Sequence, residues 1–165
     1  MKRVVAVACV VALASLSRAF AADGPPEVVV DIPVKLESAK VVLNLDHLAF
    51  AGDEPVGLEY AHHLLDVFEA DGTKAEIVAI FHGEAGYMLL DDQKYDAVRN
   101  WKGGNPYREQ VLAAIARGIS IEECGETMRD AGWGNADLLP GVKVNTGANF
   151  RIIQLVQDGF VQIQP

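Results

Sequence analysis

Cysteine is scarce in this chain. Its 165 residues hold two, Cys9 and Cys124, with no C-x-x-C pair, so an intramolecular dithiol of the thioredoxin kind is excluded. Positive charge is also in short supply. Fourteen Lys and Arg stand against 23 Asp and Glu, a formal net charge of −9. That balance argues against nucleic acid as a partner, because phosphate backbones demand a basic footprint, and against docking on an anionic membrane surface. Beyond the first residues there is no apolar run of membrane length, so no stable membrane insertion is expected. A P-loop, a G-x-G-x-x-G after a strand, a G-x-S-x-G elbow and an H-E-x-x-H helix are all missing. Gly103-Gly104-Asn105 reads as turn chemistry instead of a phosphate cradle. No cofactor is implied.

The first segment reads as an address. Lys2 and Arg3 open it, Val4 to Leu16 is apolar but for Ser15, and Ala19-Phe20-Ala21 is a small-x-small exit. These are the three parts of a secretory signal. An uncleaved anchor is the rival reading. The apolar run falls short of the roughly 20 residues that span a bilayer. Cys9 sits too early in the run for a lipoprotein. Residues 1–21 are therefore expected to be a signal peptide, cleaved after Ala21, and the protein to be periplasmic. Cleavage removes Cys9 together with Lys2, Arg3 and Arg18. It leaves a more acidic chain with one cysteine. A single thiol in an oxidising compartment suggests a reactive site or intermolecular pairing; the plainer reading is a buried small hydrophobe.

Residues 22–39 hold three prolines and no helical period. They read as an extended leader, with an edge strand at Val28-Val29-Val30. From residue 40 to 165 the pattern becomes regular. Short β-branched runs, Val41–Leu45, Ala75–Phe81, Ile119–Glu123, Val142–Val144 and Phe160–Ile163, predict buried strands. Between them, Leu58, Ala61, His62, Leu65 and Phe68 recur at helical spacing. Further helices are expected over Tyr87–Trp101, Tyr107–Arg117, Thr127–Ala131 and Ala148–Gln157. Strands alternating with helices imply right-handed βαβ crossovers. The expected fold is a three-layer α/β/α sandwich of flavodoxin-like size around a mainly parallel five-stranded sheet.

In such sheets ligands bind beyond the carboxyl ends of the strands. Asp46 and His47 follow the first strand, His82, Gly83 and Glu84 the second, Cys124 and Gly125 the third. Cys124 also stands at a helix start, where free N–H groups and the dipole favour a thiolate. The dipole contributes roughly 0.3–1 kcal/mol, less than one pKa unit, and Glu122, Glu123 and Glu126 oppose it. His47 or His82 could supply the missing positive charge. A metal reading would gather His47, His62, His63 and His82 with Asp46 or Glu84, but no pair has helical ligand spacing, and adjacent His62 and His63 point to different faces. No metal is expected.

The segments His82-Gly83, Ile121-Glu122-Glu123-Cys124-Gly125-Glu126-Thr127-Met128, Leu138 to Gly147 and Arg151 to Val156 resemble the DsrE/DsrF-like family, the second pair its exported branch. The resemblance spans most of the chain after Ala39. It implies a three-layer α/β fold, a trimer or hexamer, and Cys124 as a sulfur-accepting residue. On that basis the chain is expected to be an exported sulfur carrier or sulfurtransferase-like protein. It would hold a persulfide on Cys124, assisted by His82 or His47, with Gly83, Glu84 and Gly125 lining the ligand site. Its partner would be a small sulfur compound or a protein sulfur donor or acceptor. Transfer RNA thiolation is excluded by location. The alternative is a non-catalytic oligomeric module binding a small ligand or metal, with Cys124 as packing.

Overall fold

The computed structural model describes Glu27–Pro165. The expected signal peptide lies outside the described residues. The chain forms two units, Met1–Pro33 and Val34–Pro165. In the first, the expected edge strand at Val28–Val30 does not form. These valines are exposed and pair with no described strand. β-Branched residues favour an extended backbone, but a strand needs a neighbouring edge to hydrogen-bond.

The second unit carries β1 (Ser38–Leu45), β2 (Phe50–Ala51), β3 (Glu54–Pro55), α1 (Val56–Asp71), β4 (Lys74–Phe81), a 3-10 segment (Gly83–Leu89), α2 (Asp92–Arg99), α3 (Arg108–Ala116), β5 (Ser120–Cys124), α4 (Gly125–Ala131), β6 (Lys143–Asn145), α5 (Ala148–Gln157) and β7 (Val161–Ile163). β2 and β3 form a small hairpin, and the other strands make one five-stranded sheet in the order β6-β5-β4-β1-β7. All of its pairings are parallel. Among the described residues no helix is long and apolar enough to cross a membrane.

The strand order dictates the layers. The connections from β1 to β4, β5 and β6 step steadily in one direction, so right-handed crossovers put α1, α3 and α4 on one face. After β6 the chain reverses and returns across the whole sheet to β7, which sends α5 to the opposite face. Alternation along each strand supplies both faces. Ile77, Ala79 and Phe81 of β4 join Leu43, Leu58, Val111 and Met128 in the larger core. Val78 and Ile80 pack with Val42, Ile152, Leu155, Phe160 and Cys124 in the smaller one under α5. Burying an aliphatic side chain of this size contributes about 1.5–3 kcal/mol, so Ile152 and Leu155 suffice to seat α5.

Three expected elements are displaced. Tyr87–Trp101 is not one helix. A 3-10 segment ends at Leu89, and α2 starts afresh with Asp91 as its N-cap, its carboxylate accepting from the Lys94 N–H at 2.7 Å. The helix expected from Thr127 begins at Gly125, directly after Cys124. The fourth strand of the pattern runs one residue later, as β6. Gly103-Gly104-Asn105 is turn chemistry. The buried Asn105 amide donates to the carbonyls of Met88 and Leu90 at 2.8 and 2.6 Å, tying the loop to the end of the 3-10 segment.

Candidate functional site

Parallel pairing brings every strand of the main sheet to one carboxyl edge, and Cys124 is the last residue of β5 there. Its side chain points to the α5 face, where it is 4% exposed. The sulfur lies at the floor of an open cavity of about 350 Å³. His82 and Gly83 from the end of β4 line one side, Thr127 and Asp130 of α4 another, and Gly147, Ala148 and Phe150 the third. The turn from β5 into α4 passes tightly under β6. A Cβ on Gly125 would lie 2.6 Å from the Asn145 carbonyl oxygen, so glycine is required for the close approach.

The environment of the sulfur is rich in donors. The Ala148 N–H, at the start of α5, donates to Sγ at 3.3 Å. Burial pushes the Cys124 thiol up, but the N–H groups of Thr127 and Ala148, the Thr127 hydroxyl and the Glu126 N–H pull it down. The balance holds it below the ordinary thiol value. Thr127 also accepts from the Gly83 N–H at 3.0 Å, which ties the β4 loop to the cysteine loop. Replacing Thr127 by Val removes the hydroxyl beside the sulfur and keeps the shape. Alkylation of Cys124 at pH 7 is expected to slow roughly tenfold, as loss of one hydrogen bond to a charged acceptor implies; the rate of reaction with iodoacetamide measures it.

The acids around Cys124 do not act as the sequence pattern suggests. Glu122 is 4% exposed and held by Arg151, whose Nε and Nη2 reach the carboxylate at 2.9 Å each. Asn145 adds a third donor at 3.2 Å. Glu126, on the surface, is paired with Arg129 at 2.5 Å. Glu123 points to the other face of the sheet and is fully buried, and among the described residues neither of its oxygens has a hydrogen-bond partner. Burial pushes its carboxyl up to about 9, so it is neutral at physiological pH. Gly86 makes room for it, since a Cβ there would meet Oε1 at 2.7 Å. Two carboxylates are thus neutralised by partners and one by its own proton.

The histidines separate. His82 shares the cavity with Cys124, and its Nε2–H donates to the Asn44 carboxamide oxygen at 2.7 Å. Burial lowers its pKa, partly offset by Asp46, so it offers a neutral ring. His47 faces a different, smaller cavity bounded by Leu45, Phe81 and Pro165, and pairs with the Asp46 carboxylate at 2.5 Å. Glu84 is exposed and does not line the Cys124 cavity. His62 binds the Gln110 carbonyl at 3.1 Å, away from both. Among the described residues, no three His, Cys, Asp or Glu side chains gather as a metal site. Thr127, Ala148, Phe150 and Asn44 were not singled out as site residues by the sequence pattern. Thr127, three positions after the cysteine, carried the only local signal.

No family model and no curated protein matches the chain. Solved structures do. MTH1491 from Methanobacterium thermoautotrophicum aligns with a TM-score of 0.60 at 20% identity, over 77% of this chain and 99% of that one. The ychN protein from E. coli aligns with a TM-score of 0.55 at 14% identity, over 78% and 99%. The fold is DsrE-like. BT1422 from Bacteroides thetaiotaomicron, with a TM-score of 0.50 at 16% identity, covers 78% of this chain. At these identities the likeness is one of fold. In this DsrE-like fold the sheet edge that carries Cys124 is where an open α/β sheet binds ligands.

Proposed function

We propose that this chain is an exported, oligomeric sulfur carrier that holds a persulfide on Cys124. The observation that carries the reading is the sulfur at the base of an open cavity, encircled by N–H and hydroxyl donors that favour its thiolate. The thiolate attacks the terminal sulfur of a donor R–S–SH. The S–S bond breaks, RS⁻ departs, and Cys124–S–SH forms with no net oxidation. An acceptor thiolate then attacks the outer sulfur and releases the Cys124 thiolate. His82, neutral and on the cavity wall, takes the proton when the Cys124 thiol ionises and gives it to the departing RS⁻. The basic start of the sequence and its small-residue exit support export.

One observation favours the binding-module reading, in which Cys124 is packing. The residue is only 4% exposed and belongs to the core under α5. The two readings part on reactivity. A carrier thiolate alkylates in the native state with a midpoint below the ordinary thiol pKa. The pH dependence of native-state alkylation is therefore the test. A midpoint below that of free cysteine is expected, and a thiol that reacts only after unfolding makes the protein a binding module.

A further inference from the structure

Four neighbouring strands bring a row of polar side chains to the carboxyl edge on the α5 face. The sheet order β5-β4-β1-β7 sets Cys124 at the end of β5, His82 just past β4, Asn44 near the end of β1 and Gln164 just past β7. Asn44 pairs with Ile80, and Leu43 with Ile163. Alternation continued one residue past β4 and β7 gives His82 and Gln164 the same side as Asn44, Ile80 and Cys124. These side chains are joined. His82 Nε2 meets the Asn44 carboxamide oxygen at 2.7 Å, Asn44 Nδ2 meets the Gln164 carboxamide oxygen at 3.4 Å, and Gln164 Nε2 meets the Asp46 carboxylate at 2.9 Å.

This chain of hydrogen bonds runs in one direction, and Asp46 sets it. A carboxylate accepts and cannot donate. A hydrogen bond from His47 holds the Asp46 carboxyl below its ordinary value, so it is ionised at neutral pH. It therefore takes the amide N–H of Gln164, which leaves the Gln164 oxygen to face Asn44. Asn44 must then turn its own N–H to that oxygen and its oxygen to the ring. His82 Nε2 must carry a hydrogen, and in a neutral imidazole the other nitrogen is then bare. Among the described residues the ring's one hydrogen bond is that of Nε2, so Nδ1 is uncommitted. The backbone fixes the ring's position as well. The His82 N–H donates to the Leu45 carbonyl at 3.0 Å. Gly83, at φ +56°, turns past the Asp46 carbonyl oxygen, which a Cβ would meet at 3.0 Å.

We infer that Asp46, through Gln164 and Asn44, fixes His82 as the Nε2–H tautomer and thereby makes Nδ1 the atom that accepts the Cys124 proton. Asp46, Gln164 and Asn44 are positioning residues. None of them lines the Cys124 cavity, and they act through the ring. The tautomer follows from the hydrogen bonds alone, whereas the proton step rests on the sulfur-carrier reading. In that step the S–H bond breaks, its electron pair stays on sulfur, and an Nδ1–H bond forms, which leaves a thiolate beside an imidazolium.

Two readouts separate the tautomer from the proton step. Long-range proton–nitrogen spectra of the isotope-labelled protein, in alkaline buffer where the ring is neutral, report which His82 nitrogen bears the hydrogen; loss of the signal in His82→Gln assigns it. The wild type is expected to show one tautomer, with the hydrogen on Nε2. Gln164→Leu, at an exposed position, and Asn44→Leu are expected to show the averaged shifts of two exchanging tautomers. Adding Asn44→Asp to Gln164→Leu sets an acceptor-only group directly against Nε2 and should restore the single tautomer, which a merely structural role for Gln164 would not allow. Iodoacetamide alkylation of native Cys124 reads the proton step. It should slow severalfold in Gln164→Leu and about tenfold in Asn44→Leu, equivalent to one pKa unit of the thiol, and recover in the double variant. A wild-type hydrogen on Nδ1, or a single Nε2–H tautomer in both leucine variants, overturns the relay. Averaged tautomers with unchanged alkylation overturn Nδ1 as the acceptor. A native thiol that never alkylates overturns the proton step together with the carrier reading, and the spectra then decide the relay by themselves.

Discussion

Replacing Glu123 by Gln should make the protein more stable at neutral pH, by about 3 kcal/mol. The folded carboxyl is buried without a partner and keeps its proton to about pH 9, against 4.5 for the ordinary side chain. From pH 4.5 upward the unfolded chain releases that proton while the folded chain retains it. The unfolded state then binds fewer protons, so stability falls as pH rises, and the loss is complete above about pH 9. Below pH 4.5 both states are protonated and the term vanishes. Glutamine keeps the shape and cannot ionise in either state, so its curve lacks this slope. Urea unfolding of the two proteins between pH 4 and 9 checks it. The curves should meet at the acid end and diverge toward the alkaline end.

Replacing Arg151 by Met should cost about 3 kcal/mol. Glu122 sits at a 4% exposed position, and the Arg151 fork is its main counter-charge. Removing the fork leaves a buried carboxylate with the Asn145 amide alone, at 3.2 Å, and an uncompensated buried charge is among the severe single-site defects. Removing both charges at once, in Glu122→Met with Arg151→Met, should restore most of the loss, because the penalty comes from the orphaned ion and the pair itself is nearly neutral against apolar packing. Denaturant midpoints of the wild type, the single variants Arg151→Met and Glu122→Met, and the double variant give the coupling directly. The pair also pins α5 to β5, so Arg151→Met should slow Cys124 alkylation by loosening the Ala148 N–H from the sulfur.

The α/β fold was legible in the sequence because its central strands are buried on both faces and read as unbroken apolar runs, such as Ile77–Phe81. Glycines at Gly72, Gly118, Gly132 and Gly159, all with positive φ, mark helix ends plainly. The 3-10 segment was hidden, since the buried run Ala85 to Leu90 has no period that separates it from a helix. The place of Cys124 at a strand end followed from the pattern, whereas its surroundings did not. The Ala148 N–H comes from 24 residues away, and Arg151 reaches Glu122 across 29. Neither spacing leaves a local trace. Glu122, Glu123 and Glu126 look alike as neighbours of a thiol. Alternation along β5 sends Glu122 to one face and Glu123 to the other, and only the packed faces show that one meets an arginine and the other meets nothing. The choice between His82 and His47 required the order of β4 and β1 in the sheet and the bond from His82 to Asn44.

The most direct measurement is intact and peptide mass spectrometry of the processed chain, exposed to a low-molecular-weight persulfide and then capped with an alkylating reagent. The account predicts a single added sulfur on the Cys124 peptide. It should be removed by dithiothreitol, handed on to a second thiol, and absent from Cys124→Ser. A Cys124 that alkylates freely in the native protein and yet takes up no sulfur from the donor would contradict it.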